Sequence, residues 1–238
     1  MGGWDVHAAR DRNGCTALNW AAGEGRLDVV RVLIEELNVD ANALTGKPKR
    51  KRHSLHWAAR NGHVEVSAYF IFKRGVSPDI PTEDGTTPLH YACMMSHLEM
   101  ARWLVDEAHC DVNSLNSFGC NASQWCALAG CVPVMKLLRE RGLDLYLLNR
   151  NGHSVLHKSA MKGMVAAVDF FIQVTYCIVC ISCACSFLGL GVGMNNNKQA
   201  SFLTPIPTST HNSRPLLPIT AGGGGRARTW SRVHAAGR

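Results

Sequence analysis

The chain has 238 residues, a formal net charge of +7, and a composition that is 46% hydrophobic and 18% charged. That apolar share excludes a wholly disordered chain, and the low charge excludes a long solvated coiled coil. Residues 1–172 carry 19 Lys/Arg against 18 Asp/Glu, whereas residues 173–238 carry 6 Lys/Arg and no acid, so the basicity is weak evidence for nucleic-acid binding by a near-neutral folded part. The N-terminus, Met1 to His7, has neither the basic nor the apolar region of a secretory signal. This predicts an intracellular protein, cytoplasmic or nuclear, whose six scattered cysteines are reduced and mostly buried.

From residue 13 one pattern recurs five times. Its anchor position holds Leu18, Leu55, Leu89, Ser123 and Leu156, spaced 37, 34, 34 and 33 residues apart. Each unit reads as a short, small-residue helix (Ala21-Ala22, Ala58-Ala59, Ala92-Cys93, Cys126-Ala127, Ser159-Ala160), then a turn at Gly25, Gly62, Ser96, Gly130 or Gly163. A second helix follows with apolar residues at helical spacing, such as Leu27, Val30, Leu33 and Ile34. One unit cannot bury its apolar face alone, and stacked units bury a continuous core.

Thr86-Thr-Pro-Leu-His-Tyr-Ala92 and His56-Trp-Ala-Ala-Arg-Asn-Gly-His63 are similar to the signature of the ankyrin repeat family, G-x-T-P-L-H-x-A-A-x-x-G-H. The resemblance implies an all-α ankyrin-repeat solenoid over residues 1–172, of about five helix-turn-helix repeats: 11–42, 43–79, 80–113, 114–146 and a truncated 147–172. Repeat 4 departs from it with Ala122, Ser123 and Gln124 in place of Pro-Leu-His, which predicts a weaker hairpin and a less well-filled core. Asp5-Val-His7 resembles the tail of an earlier repeat, so the sequence is expected to begin inside a longer array.

Such arrays bind partners through hairpin tips and the concave face of the inner helices. The variable positions carried over are Arg12, Asn13 and Glu24 in repeat 1, and Arg60 and Asn61 in repeat 2. Repeat 3 gives Glu83, Asp84, Met94 and Met95, repeat 4 gives Phe118 and Leu128, and repeat 5 gives Arg150, Met161 and Lys162. Met94, Met95, Phe118, Leu128 and Met161 are expected along one groove, a soft apolar surface suited to an adaptable peptide unless other parts of the chain cover it. Trp20, Trp57, Tyr91 and Trp125 share one repeat position, with Lys158 closing the series. They read either as a ligand-stacking ladder or, preferentially, as packing between inner helices. The histidines His56, His90 and His157 are implied to bond hairpin backbone. No catalytic motif, metal-ligand spacing or cofactor signature is recognisable, so no enzyme activity, metal or cofactor is expected.

Lys47-Pro-Lys-Arg-Lys-Arg52 replaces the hairpin motif of repeat 2 and explains its longer spacing. Lys47, Lys49, Arg50, Lys51 and Arg52 read as a nuclear-import signal on an exposed finger, as a contact for acidic partners, or as a solvated loop. Residues 173–194 are an apolar, Cys-rich segment unrelated to the repeats, and 195–238 a largely disordered basic tail rich in Pro and Gly. The stretch 170–194 is uncharged and long enough to span a bilayer. It also reads as an acylation cluster, as a makeshift cap, or as sequence from a retained intron, since Gln173-Val174 fits a splice junction; a metal site at its cysteines ranks last. The expectation is a monomeric, non-catalytic scaffold or adaptor that binds another protein and not nucleic acid. A membrane-tethered adaptor and a targeting fragment of a larger protein are the alternatives.

Overall fold

A computed structural model describes residues 5–46 and 51–175. Among them ten helices and no strand form an all-α solenoid. The inner helices are α1 (Ala17–Gly23), α3 (Ser54–Asn61), α5 (Pro88–Met94), α7 (Ala122–Ala129) and α9 (Val155–Lys162). The outer helices are α2 (Leu27–Arg31), α4 (Val64–Ala68), α6 (Leu98–Asp106), α8 (Val132–Glu140) and α10 (residues 165–175). Helices α2 and α4 each continue into a π-helical turn, Val32–Glu36 and Tyr69–Lys73. Each inner helix packs on the next, as the small side chains at Ala22, Ala59, Cys93 and Ala127, all fully buried, permit.

Local chemistry sets the boundaries. Thr16, His53, Thr87 and Ser154 cap their helices, and the residue three further on, Asn19, His56, His90 or His157, returns a bond to the capping backbone. Pro88 opens α5, where its missing N–H costs nothing. The inner helices end on left-handed turns. At Gly62 (φ 81°) an added Cβ would meet His97 Nδ1 at 2.9 Å. Ser96 adopts the same conformation with a side chain (φ 62°), and the next repeat places Cys131 where Gly62 faces His97. Left-handed backbone strains an L-residue by about 1 kcal/mol. Ser96→Gly is therefore expected to stabilise the protein by about that much, read as a raised urea midpoint at unchanged slope.

The core is two clusters that adjoin in repeat 2. Leu18, Val30, Leu55, Ala58 and Phe70 belong to the N-terminal one. Ala59, Leu89, Leu104, Met135, Leu138 and Phe170 belong to the C-terminal one, and Ile71 packs against both. Cys15, Cys93, Cys110, Cys120 and Cys126 are buried and free, and Cys131 is half-buried.

Two particulars add to the sequence reading. Repeat 4 keeps hairpin bonds made by other groups, although the buried Gln124 Oε1 has no partner among the described residues. The Gln124 amide donates to the Leu147 and His153 carbonyls, both at 3.1 Å. Buried Ser123 donates to Asn121 Oδ1 (2.5 Å), and the Asn121 amide donates to the Asp144 carbonyl (2.8 Å). A polar network stands where the other repeats place leucine. Repeat 5 does not stop at Ile172. Helix α10 runs to residue 175, with Phe170 and Val174 buried in the C-terminal core. The start of the apolar 170–194 stretch thus belongs to the array. The expectations for residues 176–238 lie outside the described residues.

Candidate concave binding site

The hairpin before α5 is held by its own side chains. Thr82 donates to Asp84 Oδ1 (2.5 Å) and to the Thr86 carbonyl (3.1 Å), and the Thr86 N–H donates back to Thr82 Oγ1 (3.0 Å). Burial raises the Asp84 carboxyl, but bonds from Thr82 and Thr86 outweigh it and hold Asp84 below the usual carboxylate range. Successive hairpin tips are tied by backbone. The Ser117 N–H donates to the Asp84 carbonyl (2.8 Å), and the Arg150 N–H donates to the Phe118 carbonyl (3.0 Å). Phe118 is thereby fixed at a tip while 57% of it faces solvent.

Aromatic rings from the inner helices continue this surface. Trp20 and Trp57 lie 6.3 Å apart between centroids, and Tyr91 and Trp125 lie 6.1 Å apart. Between these pairs sits the Arg52 guanidinium, 5.9 Å from the Trp57 ring and 5.1 Å from the Tyr91 ring. Cation–π attraction favours this placement. Arg52 is positioned by reciprocal backbone bonds with Thr45 (3.0 and 2.8 Å), which close the base of the inserted loop. Tyr91 is buried edge-on against His56, and Trp125 packs against His90. The series therefore packs the inner helices and also lines a surface: Tyr91 and Trp125 join Arg52, Thr82, Glu83, Asp84, Met94 and Phe118 around a cavity of about 410 Å³.

The cavity gathers Glu83, Asp84, Met94 and Phe118 from the expected surface. It does not gather the rest. Arg12, Asn13 and Glu24 are exposed on repeat 1. Arg60 is half-buried, and the Asn61 amide donates to the Gly23 carbonyl (2.6 Å), joining repeats. Met95, Arg150, Met161 and Lys162 are exposed and Leu128 half-buried, and none of them lines the cavity. Of the apolar positions expected along one groove from Met94 to Met161, Met94 and Phe118 line this cavity.

Arg52 changes role most. The sequence groups it with the exposed import signal, yet its guanidinium lies against the inner-helix rings of Trp57 and Tyr91. Lys51 is exposed, and Lys47, Lys49 and Arg50 lie outside the described residues. Sequence reasoning also left Thr82 out of the candidate surface; the shared position of Trp57, Tyr91 and Trp125 was the signal that pointed to the wall. Of the motif histidines, His56 Nε2 donates to the Ile80 carbonyl (2.9 Å) and His90 Nε2 to the Cys120 carbonyl (3.1 Å). Among the described residues no group of His, Cys, Asp and Glu has metal-binding geometry, and no helix is long and apolar enough to cross a membrane.

Known families match the same stretch. Models described as ankyrin repeats match residues 13–43, 39–116, 55–147 and 123–172. The chain belongs to the ankyrin repeat family. Ankyrin repeats generally mediate protein–protein interaction. Among relatives, Palmitoyltransferase AKR1 of Lachancea kluyveri is 28% identical over 70% of this chain and 22% of its own length. Neurogenic locus notch homolog protein 1 of Xenopus laevis is 30% identical over 65% of this chain and 6% of its own. Putative palmitoyltransferase ZDHHC13 of Danio rerio is 24% identical over 65% of this chain and 28% of its own. The chain thus spans at most 28% of these relatives.

Proposed function

We propose that this ankyrin array is a non-catalytic scaffold that binds a segment of another protein on its concave face. The observation that carries the reading is the aromatic cavity between the hairpin tips and inner helices of repeats 2–4. Arg52, Tyr91, Phe118 and Trp125 offer rigid, amphipathic contact area, the composition that concentrates binding energy at protein interfaces. Glu83 supplies a polar group that orients a bound segment.

Phe118→Ala and Glu83→Lys test it. Both residues are exposed, so neither change should unfold the array. A partner captured by the full chain is expected to bind Phe118→Ala at least tenfold more weakly, since losing a central aromatic anchor costs about 2 kcal/mol. Val29→Ala, at an exposed site on outer helix α2, should bind normally. Unchanged affinity in both concave variants would refute the site.

A further inference from the structure

In repeats 1–4 the positions that face the following repeat are closed. Ala22, Ala59, Cys93 and Ala127 occupy one such position and are fully buried. His56, His90 and Gln124 occupy another; all are buried, and each donates to a carbonyl of the next hairpin. In repeat 5 the same positions are open. Ala160 and His157 are exposed. His157 Nδ1 accepts from the Ser154 N–H (3.2 Å), but Nε2 has no carbonyl partner among the described residues. Val165 is 68% exposed, although its counterparts Leu27, Val64, Leu98 and Val132 are half-buried. The C-terminal end of the array is a stacking surface fitted to one more layer. A solenoid end of this kind needs a cap.

The chain itself supplies a matching segment. Beyond Thr175, the last described residue of α10, it continues through residues 176–194 without one charged side chain. The run Cys180-Ile-Ser-Cys-Ala-Cys-Ser186 has the small-residue character that the inner helices use to approach one another, as at Ala92-Cys93 and Cys126-Ala127. We propose that residues 176–194 dock on the open face of α9 and α10 and cap the array. The segment follows directly on the last described turn of α10. Its effective concentration there is of order millimolar, an advantage that no separate molecule of ordinary abundance has. A bilayer competes poorly for the whole apolar stretch, because Phe170 and Val174 are already in the core and the remainder is interrupted by Gly189, Gly191 and Gly193.

Hydrogen exchange on the full chain tests this, compared with the full-length double variant Ile178→Asp, Ile181→Asp. The amides of α9 are expected to be protected in the parent chain and to exchange about tenfold faster in the variant, with α1 to α5 unchanged. As a second readout, Ala160→Cys places a thiol on an exposed position of the face. Under mild oxidation it is expected to form an intramolecular disulfide with one of Cys177, Cys180, Cys183 or Cys185. Equal exchange in both chains and no such disulfide would overturn the proposal. Protection of α9 that rises with protein concentration would overturn it in favour of a second copy. Sedimentation of the full chain with phosphatidylcholine vesicles, lost in the double variant, would overturn it in favour of a membrane segment.

Discussion

Acidification from pH 7 to about 4.5 is expected to unfold the array cooperatively, with uptake of close to three protons. His53, His56 and His90 are buried and neutral, each pushed down to about 4, chiefly by burial. Their hydrogen bonds require the neutral ring. Nδ1 of His53, His56 and His90 accepts a backbone N–H from Leu55, His53 and Thr87 respectively. The Nε2 atoms meet the carbonyls of Ala41, Ile80 and Cys120. A second proton would set donor against donor. In the unfolded chain these rings titrate near 6.5, above their native values. Between pH 6.5 and 4 the unfolded state thus binds protons that the native state refuses, and stability falls as pH falls. The stabilisation is complete above about pH 6.5 and is lost progressively down to about 4, at roughly 1.4 kcal/mol per pH unit per histidine. Three such groups are enough to exhaust a stability of about 5–15 kcal/mol. Asp84, held below the ordinary carboxylate range, yields only at lower pH. The fold itself supplies the control: repeat 4 makes its forward bonds with Gln124, which does not titrate. His90→Gln should lower the acid midpoint and reduce the uptake by about one proton, measured by circular dichroism against pH. An unchanged midpoint would show that the buried rings do not govern acid stability.

Phe70→Ala is expected to cost about 3–5 kcal/mol and to make unfolding biphasic. Phe70 is fully buried in the N-terminal cluster, edge-on to His53 at 5.4 Å and to Tyr69 at 6.1 Å. Its removal leaves a cavity that the facing rings cannot fill. The two clusters adjoin in repeat 2, and stability in a solenoid is a sum of local and nearest-neighbour terms. The loss therefore falls on repeats 1 and 2, while the cluster around Leu104 and Leu138 keeps its packing. Urea titration followed at Trp20 and Trp57 should show an early transition, and far-UV ellipticity a second, later one. A single transition shifted as a whole would mean that the clusters unfold as one.

The repeat period carried most of the architecture. Leu18, Leu55 and Leu89 are core residues, and the turns fall on Gly25, Gly62, Ser96, Gly130 and Gly163, each with positive φ, because spacing of apolar and turn residues is a local signal. Arg52 was not legible. Its position depends on a bond to Thr45 across an inserted loop and on rings contributed by two other helices. Composition alone placed it with its basic neighbours. The end of α10 was partly legible: Ala167, Phe170 and Val174 keep the three- and four-residue spacing of a buried helix face. That spacing was hidden by a following segment so uniformly apolar that periodicity no longer marked a face. The polar replacement in repeat 4 could not be read either: Ser123 at the leucine position bonds Asn121, and the merit of Asn121 and Gln124 depends on carbonyls of Asp144, Leu147 and His153.

The forward bonds of Asn19, His56, His90 and Gln124 impose an order on synthesis. Each side chain waits for a partner that leaves the ribosome about thirty residues later: Ser54 for Asn19, Ile80 for His56, Cys120 for His90, Leu147 for Gln124. A nascent chain therefore always ends in one incomplete layer, and each new repeat finishes its predecessor before it is itself finished.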